Sequence, residues 1–168
     1  MLRDIRQAKR TVNLETFNFQ KDEGGEQFAE ALMAAAKNGV QVRLLIDDYG
    51  SSLKSLPMVR SASWFHYGEM LKGGVKIFEY KPTMMHNKTC VIDGLYATIG
   101  SINFDGRSMK TNAEESLAFY DGGFAAKMEA MFQEDKKKSE EITYKAFKNR
   151  GPHRRLTELV FWIWEPYY

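Results

Sequence analysis

The stretch His86-Asn-Lys-Thr-Cys-Val-Ile-Asp-Gly-Leu-Tyr-Ala-Thr-Ile-Gly-Ser-Ile-Asn103 decides how the chain is read. Two β-prone runs, Thr89 to Ile92 and Leu95 to Ile99, flank Asp93-Gly94. That pattern predicts a two-residue hairpin turn, because glycine tolerates the positive φ the turn needs. Ile92 then pairs with Leu95, His86 falls opposite Ser101, and Met84 falls opposite Asn103. Residues two apart share a face of a strand, and so do directly opposed residues. His86, Lys88, Ser101 and Asn103 are therefore expected on one patch. A slip of one residue would send them to opposite faces.

These residue types suit phosphate chemistry. A neutral imidazole can attack phosphorus and form a covalent intermediate, splitting one hard displacement into two easier ones. A lysine ammonium with hydroxyl and amide donors can hold the phosphoryl oxygens as charge shifts. A carboxylate on the other ring nitrogen would fix the tautomer and support the imidazolium. Glu114, at the mouth of the next strand, is the candidate for that role. Asp93 reads as a turn residue, and Met84, Met85, Cys90 and Phe104 as packing. A metal held by His86 with Asp93 or Glu114 is disfavoured, since Lys88 on the same face opposes a cation. His66, among Trp64, Phe65 and Tyr67, reads as a core or interface histidine, and His153, beside Arg154 and Arg155, as a surface one.

Outward from the hairpin, the chain alternates strands and helices. Leu2 to Arg10 predicts a short helix and Thr11 to Phe19 a strand. After a polar turn over Lys21 to Gly25, Glu26 to Lys37 predicts a helix with Phe28, Ala31, Leu32 and Ala35 at helical spacing, ended by Asn38-Gly39. Val40 to Ile46 reads as a buried strand parallel to the first, completing a βαβ unit. A serine-rich loop over Gly50 to Leu56, a helix over Met58 to Leu71 and a strand over Val75 to Tyr80 precede the hairpin. Ser116 to Tyr120 predicts a strand and Gly122 to Glu141 a helix with Phe124, Met128, Met131 and Phe132 on one side. Lys136 to Lys138 reads as a solvated face of that helix. A further apolar segment runs from His153 to Trp164. The expected fold class is α/β, a mixed central sheet flanked by helices, in one domain over 1–168.

Composition agrees with an ordinary globular chain: 168 residues, 43% hydrophobic and 27% charged. A net charge of +2 favours anionic partners only weakly and does not separate nucleic acid from lipid headgroups. The single cysteine, Cys90, excludes an internal disulfide framework. No apolar run reaches the roughly 18 residues of a spanning helix. Residues 1 to 10 are charged throughout, unlike a signal peptide. The localisation expected is cytoplasmic or peripheral at a membrane.

Taken whole, residues 86 to 114 resemble the phospholipase D superfamily and its HKD motif. The resemblance is carried by His86, Lys88, Asp93, Gly100, Ser101 and Asn103, and it continues through Asn112-Ala-Glu114. Asn103-Phe-Asp-Gly-Arg-Ser108 looks most like the cardiolipin synthase branch. Gly39 to Asp47, the Gly74-Val-Lys-Ile-Phe-Glu-Tyr segment and the stretch after Asp135 extend the likeness to one phospholipase D-type lobe. The resemblance implies that His86 is the nucleophile forming a phosphohistidine and that Lys88 and Asn103 bind phosphate. It further implies that Ser101 sits at the phosphate's edge, that Glu114 orients the histidine, and that catalysis needs no metal or other cofactor. Relatives of this kind transfer a phosphatidyl group between alcohols or hydrolyse a phosphodiester.

The chain departs from that family in carrying one HKD motif where the family's active sites use two. Neither His66-Tyr-Gly nor His153-Arg-Arg has a lysine in the required place. Three arrangements are compatible with this: a homodimer joining two copies of His86, one lobe of a longer two-lobed protein, or an inactive half. The expected substrate is phospholipid, with peripheral membrane contact. The alternatives are a single-motif nuclease acting on nucleic acid, and a lone lobe that binds phosphate without turnover. The aromatic tail (Phe161, Trp162, Ile163, Trp164, Tyr167 and Tyr168) suits an interface, a membrane surface or the core.

Overall fold

A computed structural model describes residues 1–17, 19, 22–47, 67–104, 108 and 112–149. The serine-rich loop, the first part of the helix expected from Met58, His66 and the segment from His153 onward lie outside the described residues.

The described strands are β1 (Thr11–Thr16), β2 (Gln41–Asp47), β3 (Lys76–Tyr80), β4 (Thr89–Ile92), β5 (Tyr96–Gly100), β6 (Ser116–Tyr120) and β7 (Ser139–Ile142). They form one sheet in the order β6-β5-β4-β1-β2-β3-β7. β1, β2 and β3 run parallel, and the remaining pairings are antiparallel, so the sheet is mixed. The helices are α1 (Leu2–Gln7), α2 (Glu23–Lys37), α3 (Gly122–Lys137) and α4 (Tyr144–Lys148), with further helical residues at 67–72.

α2 starts three residues before the expected point, because the Asp22 carboxylate accepts from the Gly25 N–H and caps the first turn. Its Phe28, Ala29, Ala31, Leu32 and Ala35 are buried. They pack with Val12, Leu14, Val42, Leu44, Ile46, Ile77, Cys90 and Ile92 into the principal core, on the α1–α2 face of the sheet. Burial of a side chain such as Leu14 or Leu44 contributes about 1.5–3 kcal/mol.

The other face, under α3, is built differently. Two small apolar clusters sit there: Leu45, Phe78, Met85 and Phe132, and separately Val91, Ala97, Ala125 and Met128. Between them lies polar structure. Buried Asn13 donates to Glu129 of α3 and accepts from Arg43 of β2. Met131, expected on the apolar side of α3, is 50% exposed, and Met84, expected to pack, is 57% exposed.

α3 ends at Lys137, short of the expected Glu141, and Ser139–Ile142 instead becomes β7 on the open edge of β3. Lys81 holds this edge by bridging Glu79 and Glu140. Strand β1 ends at Thr16, so Phe17 and Phe19 lie beyond it.

The hairpin register corrects the sequence expectation. Asp93 and Gly94 do take positive φ, +55° and +67°, and the Leu95 N–H reaches Ile92 O at 3.1 Å. However, Ile92 pairs with Tyr96, leaving Leu95 as an unpaired, 56% exposed bulge residue. Packing explains the shift. The observed register puts Tyr96 into the principal core and the small Ala97 under α3 beside Ala125 and Met128. The expected register would have placed Leu95 and Tyr96 in those positions. Consequently Lys88, not a neighbour, lies beside Gly100, whose N–H donates to Lys88 O at 3.1 Å. Ser101 is not opposite His86, nor Asn103 opposite Met84, through this ladder.

Candidate active site

His86 and Lys88 lie at the approach to β4, beside the chain that leaves the carboxyl end of β1. His86 is exposed, whereas Lys88 is 7% exposed. Both touch Phe17. The His86 ring meets the Phe17 ring edge-on, with centroids 5.1 Å apart. The Lys88 ammonium stands 5.5 Å from the Phe17 centroid and donates to the His86 carbonyl at 3.1 Å. The quadrupole of the ring favours a cation over its face, so Phe17 helps aim the buried ammonium. The two side chains thus share one side of the segment leading into β4, as expected.

Ser101 is held by another route than the predicted pairing. Its N–H donates to Glu115 O at 2.9 Å, and its Oγ accepts from the Glu115 N–H at 3.1 Å. This ties the GSxN segment to the start of β6 instead of to β4. The neighbouring Glu114 carboxylate is held below the usual glutamate range by the Ser101 hydroxyl first, then by Asn112, Ser108 and the Lys88 charge, against some desolvation. Lys88, Ser101 and Glu114 therefore do come together. Glu114 bonds Asn112 Nδ2 at 3.3 Å, and among the described residues no hydrogen bond joins it to His86. Asn103 buries its amide oxygen with no partner among the described residues. Among those residues, no group of three or more His, Cys, Asp or Glu side chains is arranged to hold a metal ion.

Gly100 has a steric role that the motif alone does not reveal. A Cβ there would lie 2.1 Å from Ser116 Oγ and 2.4 Å from Glu115 O. Only glycine lets β5 approach the start of β6 closely enough for the Ser101–Glu115 contacts.

Asp93 does more than occupy a turn. Its carboxylate accepts from the backbone N–H groups of Lys9 at 2.8 Å, Arg10 at 2.7 Å and Thr11 at 2.8 Å. Its own N–H donates to Thr11 O at 3.0 Å, and the Arg10 guanidinium donates to its carbonyl. The hairpin tip is thereby bolted to the start of β1. Partial burial would raise the Asp93 pKa, but the three N–H donors and the Arg10 charge outweigh it and the net shift is downward. A depressed carboxylate stabilises the fold above its unfolded pKa of about 3.9 and ceases to do so as pH falls through the folded value. Asp93→Ala is expected to cost about 2 kcal/mol at pH 7, allowing for partial solvent exposure. Urea midpoints should show the gap to wild type closing below pH 4.

A missed residue is Glu15, buried at 2% exposure on the α3 face of β1. Its only signal in the sequence is an acid within a strand whose neighbours on both sides are buried.

Comparison with known proteins agrees with this architecture. Residues 1–136 match the family model described as the cardiolipin synthase, phospholipase D-like domain. Minor cardiolipin synthase ClsB of Bacillus subtilis is 38% identical over 130 residues, which is 77% of this chain and 31% of that protein. Cardiolipin synthase 2 of Bacillus anthracis is 33% identical over 162 residues, 96% of this chain and 30% of that protein. The chain thus spans under a third of the length of these relatives. In fold it resembles Nuc of Salmonella typhimurium, a phospholipase D family member, at TM-score 0.73 and 21% identity, covering 84% of this chain and 88% of that one. It also resembles the phosphatidylserine synthase of Haemophilus influenzae at TM-score 0.75 and 13% identity, covering 99% of this chain and 41% of that one. With the family model matched over most of its length, the chain belongs to the phospholipase D-like family of the cardiolipin synthases.

Proposed function

We propose that this lobe performs metal-independent phosphodiester transfer on phospholipid through a phosphohistidine at His86. The observation that carries the reading is the grouping of an exposed imidazole with a buried ammonium on one aromatic platform, Phe17. A neutral ring nitrogen of His86 attacks phosphorus, and the P–O bond to the leaving alcohol breaks as the P–N bond forms. Lys88, with Ser101 and Asn103 at the phosphate's edge, balances the charge on the non-bridging oxygens. The leaving oxygen takes a proton from a second imidazole. A water or alcohol then attacks the phosphohistidine, returns its proton to that second imidazole, and frees His86.

Neither His66 nor His153 carries the HxK spacing of His86, so in this reading the second imidazole comes from a facing copy or from another lobe. A histidine oriented by Glu114 would belong to that same partner, because Glu114 does not bond its own His86. Dimerisation would make specific activity rise with enzyme concentration until the dimer saturates, and sedimentation should show the same midpoint.

Lipid is favoured over nucleic acid by the likeness to cardiolipin synthases and by a net charge of only +2, with Met84, two residues before His86, 57% exposed. A weakly basic chain offers little to a polyanionic strand. The deciding experiment incubates the protein with phosphorus-labelled phosphatidylglycerol vesicles or with labelled DNA, each in a strong chelator, followed by alkaline quenching. An acid-labile, alkali-stable label mapped to His86 from lipid alone is the expected result. Label from DNA alone would establish the nuclease alternative, and none from either would leave a phosphate-binding lobe.

A further inference from the structure

Behind the reactive hairpin, on the face covered by α3, sits a buried carboxylate that takes no part in the chemistry above. Glu15 pairs in register with Thr89 of β4. Thr89 Oγ1 donates to Glu15 Oε2 at 2.9 Å, and Asn87 Nδ2 donates to the same oxygen at 3.3 Å. The second oxygen, Oε1, has no hydrogen-bond partner among the described residues. A buried carboxyl oxygen left unpaired is costly, on the order of 1–3 kcal/mol, so this group is not there for stability.

Its two donors identify its role. Asn87 and Thr89 bracket Lys88, and Asn87 follows His86. Side chains alternate along an extended chain, so fixing residues 87 and 89 toward α3 turns 86 and 88 the other way. On that other side Phe17, just past the end of β1 where the chain bends, meets both His86 and Lys88. The end of β1 therefore grips the reactive segment from both sides, with a carboxylate behind and an aromatic ring in front.

We propose that Glu15 is a positioning residue that sets the direction of His86 and Lys88 by holding Asn87 and Thr89 against the back of the sheet. The proposal rests on His86 and Lys88 being the reactive pair. The surroundings make the grip sensitive to pH. Desolvation raises the Glu15 pKa most, the Thr89 hydrogen bond opposes it, Asp135 of α3 raises it further and the Asn87 hydrogen bond lowers it least, and the net shift is upward. Other charged groups on this face, among the described residues, include Glu129 and Lys136 of α3 and, from β2, Arg43 and Asp47, the last accepting from the Met85 N–H at 2.8 Å. A carboxyl whose folded pKa is raised stabilises the fold below its unfolded pKa and loses that contribution as pH rises through the folded value.

The test compares Glu15→Gln, Glu15→Leu and Asn87→Ala, with the His86 ring signals assigned in NMR spectra by their loss in His86→Ala. Edge contact with Phe17 gives those signals a ring-current shift in wild type. Glu15→Gln keeps an acceptor for both donors, so it should retain that shift and keep kcat within about threefold. Its thermal midpoint relative to wild type should rise between pH 4 and pH 8. Glu15→Leu should lose the shift and lower kcat by about tenfold or more with KM nearly unchanged, as for other groups that orient a reactive side chain. Where Glu15→Leu does not fold, Asn87→Ala carries the same expectation. A folded Glu15→Leu, or failing that Asn87→Ala, with wild-type His86 signals overturns the proposal. The NMR arm needs no substrate, so a protein that turns over no phosphodiester would defeat the proposed function without deciding this one.

Discussion

Replacing His86 with alanine is expected to lower phosphodiester turnover by about ten-thousand-fold or more and to abolish the covalent label. Alanine leaves no nucleophile, and among the described residues beside the site none is placed to replace it: Lys88 Nζ donates to the residue-86 carbonyl and the Ser101 hydroxyl is bonded to the Glu115 backbone. Stability should hardly change, because His86 is exposed and, among the described residues, its one ring contact is with Phe17. The informative comparison is Lys88→Met. It keeps the nucleophile and removes the charge, so turnover should fall by about a thousand-fold, while a slowly formed label still maps to His86. Methionine also fills the space of the lysine stem and removes the desolvation cost of a buried ammonium, so the variant should fold normally. Full activity in His86→Ala would sink the covalent mechanism. Equal loss of label in both variants would instead place Lys88 in binding alone.

The contrast between those residues shows what was readable in advance. His86, Lys88, Ser101 and Glu114 announce themselves by type and spacing, and the family and fold inferred from them agree with the comparisons. The βαβ unit was equally legible, since Phe28, Ala31, Leu32 and Ala35 at helical spacing need a sheet face to bury them. The register of the hairpin was not. Asp93-Gly94 specifies the turn, but whether Leu95 joins the ladder depends on α3 lying over Ala97, a contact far away in sequence. β7 was hidden for a related reason. Ser139-Glu-Glu-Ile142 has no strand alternation of its own and continues the polar face of α3, yet the free edge of β3 and the Lys81 bridges recruit it. Glu15 was invisible because its partners, Asn87 and Thr89, become meaningful only when β1 and β4 are neighbours.

The register correction also fixes where the motif is least tolerant of change. Gly100→Ala is expected to destabilise the protein by about 3 kcal/mol, at the upper end of the cost of overpacking a close approach. The added methyl would meet Ser116 Oγ at 2.1 Å, Glu115 O at 2.4 Å and Ser116 Cα at 2.7 Å. Two of those three atoms are backbone, so no rotamer change relieves the clash and β5 must part from β6. That movement breaks the Ser101 N–H bond to Glu115 O and carries Glu114 away from Ser101 and Lys88. Turnover should therefore fall by more than the loss of folded protein explains, when both are measured at a temperature where the variant remains folded. The double variant Gly100→Ala/Ser116→Gly separates the causes. It removes the hydroxyl contact and leaves both backbone contacts, so it should recover little stability and little activity. Recovery to near the wild-type urea midpoint would show that the glycine serves only to clear the Ser116 side chain. A Gly100→Ala single variant with an unchanged midpoint would mean that β6 is not held against β5 as closely as the Ser101–Glu115 bonds require.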